Sequence, residues 1–316
     1  MRREGHAFAG AGVVMMKELA DNLSSVRMRM LEVLVFVAGA GAVYATIGEV
    51  RGVVSEDPFV FLRIFTTAKA PLPSFVAFLG FLIPIVAIAL GFDSVNSEFN
   101  HRTMSRLLAQ PIYRDALLLG KFLAGLATLG VMLTALWLFV VGLGVLLLGL
   151  PPSGEETARA FAFLLIAVAY GGVWLALALL CSVAFRSAAT AALAALSMWL
   201  LFAFFWTMLV ALIAPAIAPP DAASSASLLH SAHVIEGLSR LSPNTLFGET
   251  ALAVLDPTTR SLGAILSEQL EGAIASPLPF AQSLMLIWPQ VTGLIASFLG
   301  LFTIAYIAFQ RQEVRA

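Results

Sequence analysis

Cysteine is nearly missing from this chain. Cys181 stands alone among 316 residues, which excludes an intramolecular disulfide and any metal cluster built on several thiolates. Charge is scarce as well: Asp, Glu, Lys and Arg make up 12% of the sequence, against about 25% in a soluble domain. The formal net charge is -1, so no electrostatic footprint for nucleic acid exists and none is expected as a partner. No G-x-x-x-x-G-K-[ST] run occurs, and Gly120-Lys121, the nearest fragment, lacks the glycine-rich cradle of a phosphate loop. H-E-x-x-H is missing too. His230-x-x-His233 has a metal-like spacing, but it stands in an Ala/Ser-rich segment without a convincing third ligand. No catalytic residue, no metal ligand and no cofactor is expected on this chain.

What the sequence holds instead is apolar length. Ala70 to Phe92, Phe122 to Gly154, Ala160 to Phe185, Ser187 to Pro220 and Gly272 to Gln310 contain no Asp, Glu, Lys or Arg. A helix needs about 20 apolar residues to cross the hydrocarbon core, and in lipid the backbone amides must be satisfied within the segment, which selects helix. A sixth apolar run, Val33 to Ile47, precedes these five. The expected fold is therefore all-α: one polytopic membrane domain over residues 1–316, with spans near 29–48, 72–92, 119–149, 161–184, 188–214 and 284–309. The spans carry almost no ionisable residue. Such groups are costly in lipid and mark ion or proton paths where they occur. An ion-coupled pump would have almost nothing to couple with, so the energy source is expected on another chain.

Lys and Arg placement sets the orientation. With the N-terminus in the cytoplasm, 12 of the 18 basic residues fall on cytoplasmic segments and 6 on the outer ones, which also cover more chain. The positive-inside rule then places both termini in the cytoplasm of a cell (inner) membrane. The first residues do not read as a cleaved signal peptide: Ala7 to Met16 is interrupted by glycines, and Lys17-Glu18 follows. No role is assigned to them, and Met15 or Met16 offers an alternative start.

Three segments outside the spans are informative. Leu19, Leu23, Val26 and Met30 recur at i, i+4, i+7, i+11, one narrow face of a helix. That amphipathic helix is expected either in the headgroup plane or as an extension of the first span. Residues 93–118 link spans two and three. Glu98, Arg102 and Arg106 share a helical face, Gln110-Pro111 breaks the helix, and a second helix restarts near Arg114-Asp115. A charged helix with a proline elbow suits docking, although a solvated loop that only enforces topology has the same pattern. Residues 215–283 carry two helix starts, Ser242-Pro243 and Asp256-Pro257. The second is expected to lead into a helix with Leu262, Ile265, Leu266, Leu270 and Ala273 on one face. Two or three short helices are expected against the outer membrane surface, with acidic residues in excess.

The stretch DSVNSEFNHRTMSRLLAQPIYRDALLLGKFLAG, Asp93 to Gly125, resembles the permease subunits of type-2 ABC exporters. The positions that carry the resemblance are Glu98, Thr103, Leu107, Leu108, Pro111, Arg114, Gly120 and Lys121, with Arg102 where the family has glycine. The order of parts along the rest of the chain is similar as well, most of all to the subgroup with the permease of nitrous-oxide-reductase maturation. The resemblance implies half a transporter: two copies paired about a two-fold axis, each docking a separate subunit that binds ATP and Mg. Glu98, Arg102, Thr103, Arg106, Pro111 and Arg114 would form the docking element, aided by the amphipathic helix. Membrane lipid surrounds such a chain, and the acidic outer helices would suit a periplasmic partner.

Three other classes remain open at this point. An ATP-driven mechanotransmitter or scaffold would act on a periplasmic partner without transport, and the sequence does not separate it from an exporter. An ion-coupled transporter or channel would need intramembrane charges or two similar halves. A membrane-embedded enzyme would need paired acids, metal ligands or a nucleophile with its base inside a span.

Overall fold

Helices form where the charge-free runs require them. A computed structural model of the chain describes residues 10–52, 58–70, 72–100, 114–219, 225–263 and 277–311. In chain order the helices are α1 (Ala11–Ser24), α2 (Val26–Gly52), α3 (Arg63–Thr66), α4 (Phe75–Gly91), α5 (Asn96–Asn100) and α6 (Arg114–Leu148). They continue as α7 (Gly154–Ala184), α8 (Ala188–Leu200), α9 (Trp206–Ile217), α10 (Ser225–Ser239), α11 (Pro243–Leu255) and α12 (Phe280–Arg311). A π turn, Leu201–Phe205, joins α8 to α9 into one apolar rod. Six helices among the described residues are long and apolar enough to cross a membrane: α2, α4 with α5, α6, α7, α8 with α9, and α12. The chain is an all-α, multi-pass membrane protein. These six helices overlap the six apolar runs of the sequence.

The fourth span, α7, is the centre of the bundle, packed by α4, α6, α8, α11 and α12. Tyr170, Val173, Trp174, Ala176 and Ala178 are buried on it. Small residues let its neighbours come close. A Cβ at Gly91 of α4 would lie 2.8 Å from Ala178, one at Gly125 of α6 2.9 Å from Leu175, and one at Gly171 3.0 Å from Ile83. In lipid, association gains little from the hydrophobic effect and depends on such backbone approach and van der Waals contact. Gly144 of α6 serves the same end against Phe61 and Ile64 of the loop between the first two spans. The fifth and sixth spans are peripheral, with Met208, Leu212, Met285 and Trp288 exposed.

The third span is much longer than a bilayer needs. At 35 residues and ~1.5 Å per residue it measures about 52 Å, against a core of about 30 Å. Its first turns project at the end of the bundle where Ala11 and Arg311 also lie, called here the proximal end. Asp115 accepts a hydrogen bond from Gln310 there, tying the foot of the third span to the last turn of the sixth.

Two expectations are corrected. The amphipathic face does not run continuously through Leu19, Leu23, Val26 and Met30. The backbone turns extended at Ser25 (φ -70°, ψ 141°), and the Ser25 hydroxyl caps the next helix by accepting from Met28 N at 3.1 Å. Leu19 and Leu23 therefore sit half-buried on α1, while Val26 and Met30 belong to α2 and are exposed. Residues 11–16, to which the sequence gives no role, belong to α1, which packs on α6.

The second correction concerns the distal end. Ser242-Pro243 does start a helix, but α11 is not a surface helix: Thr250, Ala251, Ala253 and Val254 are fully buried among α4, α7 and α12. Phe247 stacks on Tyr170 at 4.4 Å between centroids, deep along α7. Four small or β-branched residues, Thr250, Ala251, Ala253 and Val254, make α11 slim enough to insert. Asp256-Pro257 starts no helix. The Asp256 carboxylate instead accepts from Thr258 N at 3.0 Å and Thr258 Oγ1 at 2.7 Å, a side-chain turn that competes with helix. Of the helical face expected after it, Ile265, Leu266, Leu270 and Ala273 lie outside the described residues, and Leu262 lies in a non-helical stretch.

Candidate functional site

Lys121 is the charged residue most enclosed at the proximal end, its side chain 4% exposed. Burying an ammonium is costly unless it is paired, and here it has two partners from two other elements. Its Nζ donates to Glu18 Oε1 of α1 at 2.9 Å and to Glu98 Oε1 of α5 at 3.4 Å. One lysine thus joins the N-terminal helix, the helix that follows the second span and the foot of the third span. The fit around it is close. At Gly120 an added Cβ would meet Val14 at 2.7 Å and the Ala11 carbonyl at 2.9 Å, so only glycine lets α1 lie on α6. Two turns on, Asn22 Nδ2 donates to Thr128 Oγ1 at 3.4 Å.

The helix α5 is pinned a second time, to the end of the fourth span. Ser182 Oγ accepts from Val95 N at 3.0 Å and Asn96 N at 3.2 Å. Asn96 Nδ2 donates to the Phe92 and Phe185 carbonyls, and Asn100 Nδ2 to the Arg186 carbonyl at 3.1 Å. A third tie is more exposed: Arg27 at the start of α2 pairs with Asp93 at 2.7 Å and lies over the Phe92 ring at 5.2 Å.

Residues 101–113 follow α5 and precede α6 in the chain, and both of those helices are tied to other spans. Arg102, Thr103, Arg106 and Pro111 lie in it, outside the described residues. Glu98 turns inward to Lys121, its side chain 16% exposed, which makes it a positioning group. Arg114 opens the described part of α6 and is half-buried. The structure therefore joins Glu98 to Glu18 through Lys121 and ties α5 to Ser182, and the sequence offers none of Glu18, Lys121 and Ser182 as a site. For Lys121 a signal existed: a lone Lys one residue from a charge-free run that starts a span. For Glu18 and Ser182 there was none, since their partners are about a hundred residues away.

A second charged cluster closes the distal end. Arg159, near the start of α7, is completely buried. Its five N–H donors are all used. Nε and Nη2 donate to Glu155 Oε1 at 3.0 and 2.9 Å, Nη1 to the Val254 carbonyl and Ser283 Oγ at 3.0 Å each, and Nη2 to the Leu278 carbonyl at 2.5 Å. Beside it Glu156 closes a capping box with Ser153 and accepts from Phe61 N at 2.9 Å. In the sequence Arg159 is one of the six basic residues on outer segments, and the run Ser153-Gly154-Glu155-Glu156 with Arg159 at i+4 from Glu155 is the local signal for its role.

His230 and His233 sit on α10, and the His233 ring Nδ1 contacts the Leu229 carbonyl at 2.9 Å. No group of three or more metal-ligating side chains occurs among the described residues. The fold and its charged clusters define a class: a six-span membrane protein whose short helix at the end of the second span is tied to several other spans at once.

The family follows from comparison. The pattern described as ABC-2 family transporter protein matches residues 13–314, and the chain belongs to that family. A probable ABC transporter permease protein NosY from Stutzerimonas stutzeri is 29% identical over 150 residues, covering 46% of this chain and 53% of the relative. The protein of the same description from Pseudomonas aeruginosa is 29% identical over 199 residues, covering 61% of this chain and 66% of the relative. The chain thus spans between about half and two thirds of the curated relatives it matches.

Proposed function

We propose that this chain is the permease subunit of a type-2 ABC exporter, coupling ATP hydrolysis on a separate subunit to movement of its spans. The family and the relatives described as permeases support a membrane subunit. Two copies pair, both termini lie in the cytoplasm of the inner membrane, and ATP and Mg are held by the partner subunit. The observation that carries the reading is the anchoring of the two helices that flank residues 101–113, α5 to Lys121 and Ser182 and the foot of α6 to Gln310. Force applied to that segment passes through Glu98 and Lys121 into α1 and α6, through Ser182 and Arg186 into the fourth and fifth spans, and through Asp115 into the sixth. Arg102, Thr103, Arg106 and Arg114 belong to the face that meets the ATP-binding subunit, Pro111 holds the elbow, and Glu98 holds the element in register.

The test is a pull-down of the tagged chain from native membranes in mild detergent, wild type against R102E/R106E. The wild type should bring down one soluble chain with a Walker motif, and the double variant should lose at least nine tenths of it while remaining folded. Full recovery of the ATPase by the double variant, or no ATPase with the wild type, overturns the docking assignment. A second reading, a mechanotransmitter that works on a periplasmic partner without cargo, is favoured by the tightly bonded Arg159 cluster. A substrate-independent hydrolysis rate in a fully reconstituted complex would select it.

A further inference from the structure

A cleft of about 280 Å³ opens between α4, α7, the π turn of the fifth span and α11. Phe81, Tyr170, Trp199, Phe204 and Phe247 supply aromatic walls, and Val76, Ala77, Gly80, Ala203 and Gly248 leave the space. No charged side chain lines it. Two polar atoms in this wall are buried without a hydrogen-bond partner among the described residues: Trp199 Nε1, a donor on a side chain 4% exposed, and Asn244 Oδ1, an acceptor. Buried polar groups are normally paired, and an unpaired one calls for an explanation. The Tyr170 hydroxyl proton is already given to the Gly80 carbonyl at 2.9 Å, so it does not serve Asn244 Oδ1.

Two further features belong to the same place. Asn244 stands in the first turn of α11, where no side chain caps the helix: the Ser242 hydroxyl donates instead to the Phe202 carbonyl at 3.3 Å. The uncapped end adds backbone N–H groups and a positive dipole end near the Asn244 amide. The fifth span carries its π turn, Leu201–Phe205, against this cleft, and such turns recur where a helix is adapted to a function. Phe81 and Phe204, two of its lining residues, are about half exposed and stand on spans, so apolar span surface borders the cleft.

We propose that this cleft binds a neutral lipid with a free hydroxyl, of the diacylglycerol class. The hydroxyl donates to Asn244 Oδ1, an ester or hydroxyl oxygen accepts from Trp199 Nε1, the glycerol fits the cleft, and the acyl chains leave past Phe81 and Phe204. A phosphate head is disfavoured because no cation lines the site. The volume stands at the lower end for a binding pocket, about 300 Å³, which suits a small uncharged head whose tails stay in the bilayer. The site stands whether the chain transports cargo or transmits force.

Quenching of tryptophan fluorescence by brominated lipid tests this with the full chain in phosphatidylcholine nanodiscs. Brominated diacylglycerol should quench saturably at a few mole per cent, and more than brominated phosphatidylcholine or phosphatidylglycerol at equal bromine. Asn244→Leu should weaken the apparent affinity about tenfold, the effect of one buried hydrogen bond, and Asn244→Gln should recover part of it. Ala203→Phe, which fills the cleft and leaves Asn244 in place, should abolish the excess and serves if the Asn244 variant does not fold. Equal quenching by the three lipids, meaning annular lipid only, overturns the proposal, as does unchanged quenching in the folded variants. Stronger quenching by phosphatidylglycerol overturns the neutral-head assignment.

Discussion

The two charged clusters at opposite ends of the bundle solve the same problem in different ways. At the distal end Arg159 is wholly buried and spends all five donors, three of them on fixed acceptors, backbone carbonyls and a serine, from the loop and helix that precede the sixth span and from that span itself. At the proximal end Lys121 is shared between two carboxylates, one at 2.9 Å and one at 3.4 Å, and both partners sit on flexible stems that keep some access to water. A planar guanidinium in a rigid fork fixes geometry, whereas an ammonium on a four-carbon stem follows its partners as they move. The comparison teaches which end is built to hold and which to give. In the proposed cycle the distal end is the fulcrum and the proximal end is where the ATPase acts.

The comparison breaks most readily at Arg159. Replacing it by alanine leaves two backbone carbonyls, Ser283 and Glu155 without their donor, and removal of one partner from a buried charged network costs about 3–5 kcal/mol. Thermal unfolding in detergent should show a large loss of stability or no folded protein. Arg159→Lys keeps the charge with fewer donors and a different shape, so it should recover only part of the loss.

The proximal node should respond differently. Lys121→Met leaves two partly exposed carboxylates, whose loss costs about 1–3 kcal/mol, smaller than at Arg159, while coupling should suffer more than the fold. A double-mutant cycle with Glu18→Gln and Glu98→Gln sharpens this: the Glu18 pair, closer at 2.9 Å, should show the larger interaction energy, within roughly 0.5–3 kcal/mol. The smallest effect belongs to Arg27→Ala. Its pair with Asp93 is 41% and 31% exposed, so about 0–1 kcal/mol is expected, and less in high salt.

Different parts of this molecule were legible to different degrees. The six spans announce themselves because lipid tolerates so few side chains that the absence of charge is enough. The embedding of α11 was not legible. Leu246, Phe247, Thr250 and Val254 read the same whether they face headgroups or the inside of a bundle, and only Tyr170, 77 positions earlier, explains where Phe247 goes. The break at Ser25 hid behind a regular apolar spacing, since a serine that caps the next helix looks like one that merely tolerates the present one. Glu98 was legible as part of an important element but not in its direction: a charge on a helix face suits an external partner as well as an internal lysine. Lys121 could be placed beside a span, but the pairing with Glu18 required the fold.

The central claim is that the Lys121 node carries force from the ATP-binding subunit into the spans. The most direct measurement is hydrolysis and subunit stoichiometry of the purified, nanodisc-embedded complex with Lys121→Met and Lys121→Arg. The account expects the ATP-binding subunit to remain bound in both, hydrolysis to fall at least tenfold in Lys121→Met, and Lys121→Arg to keep much of it. Wild-type hydrolysis in the Lys121→Met complex, or a complex that no longer holds the ATP-binding subunit, would contradict it.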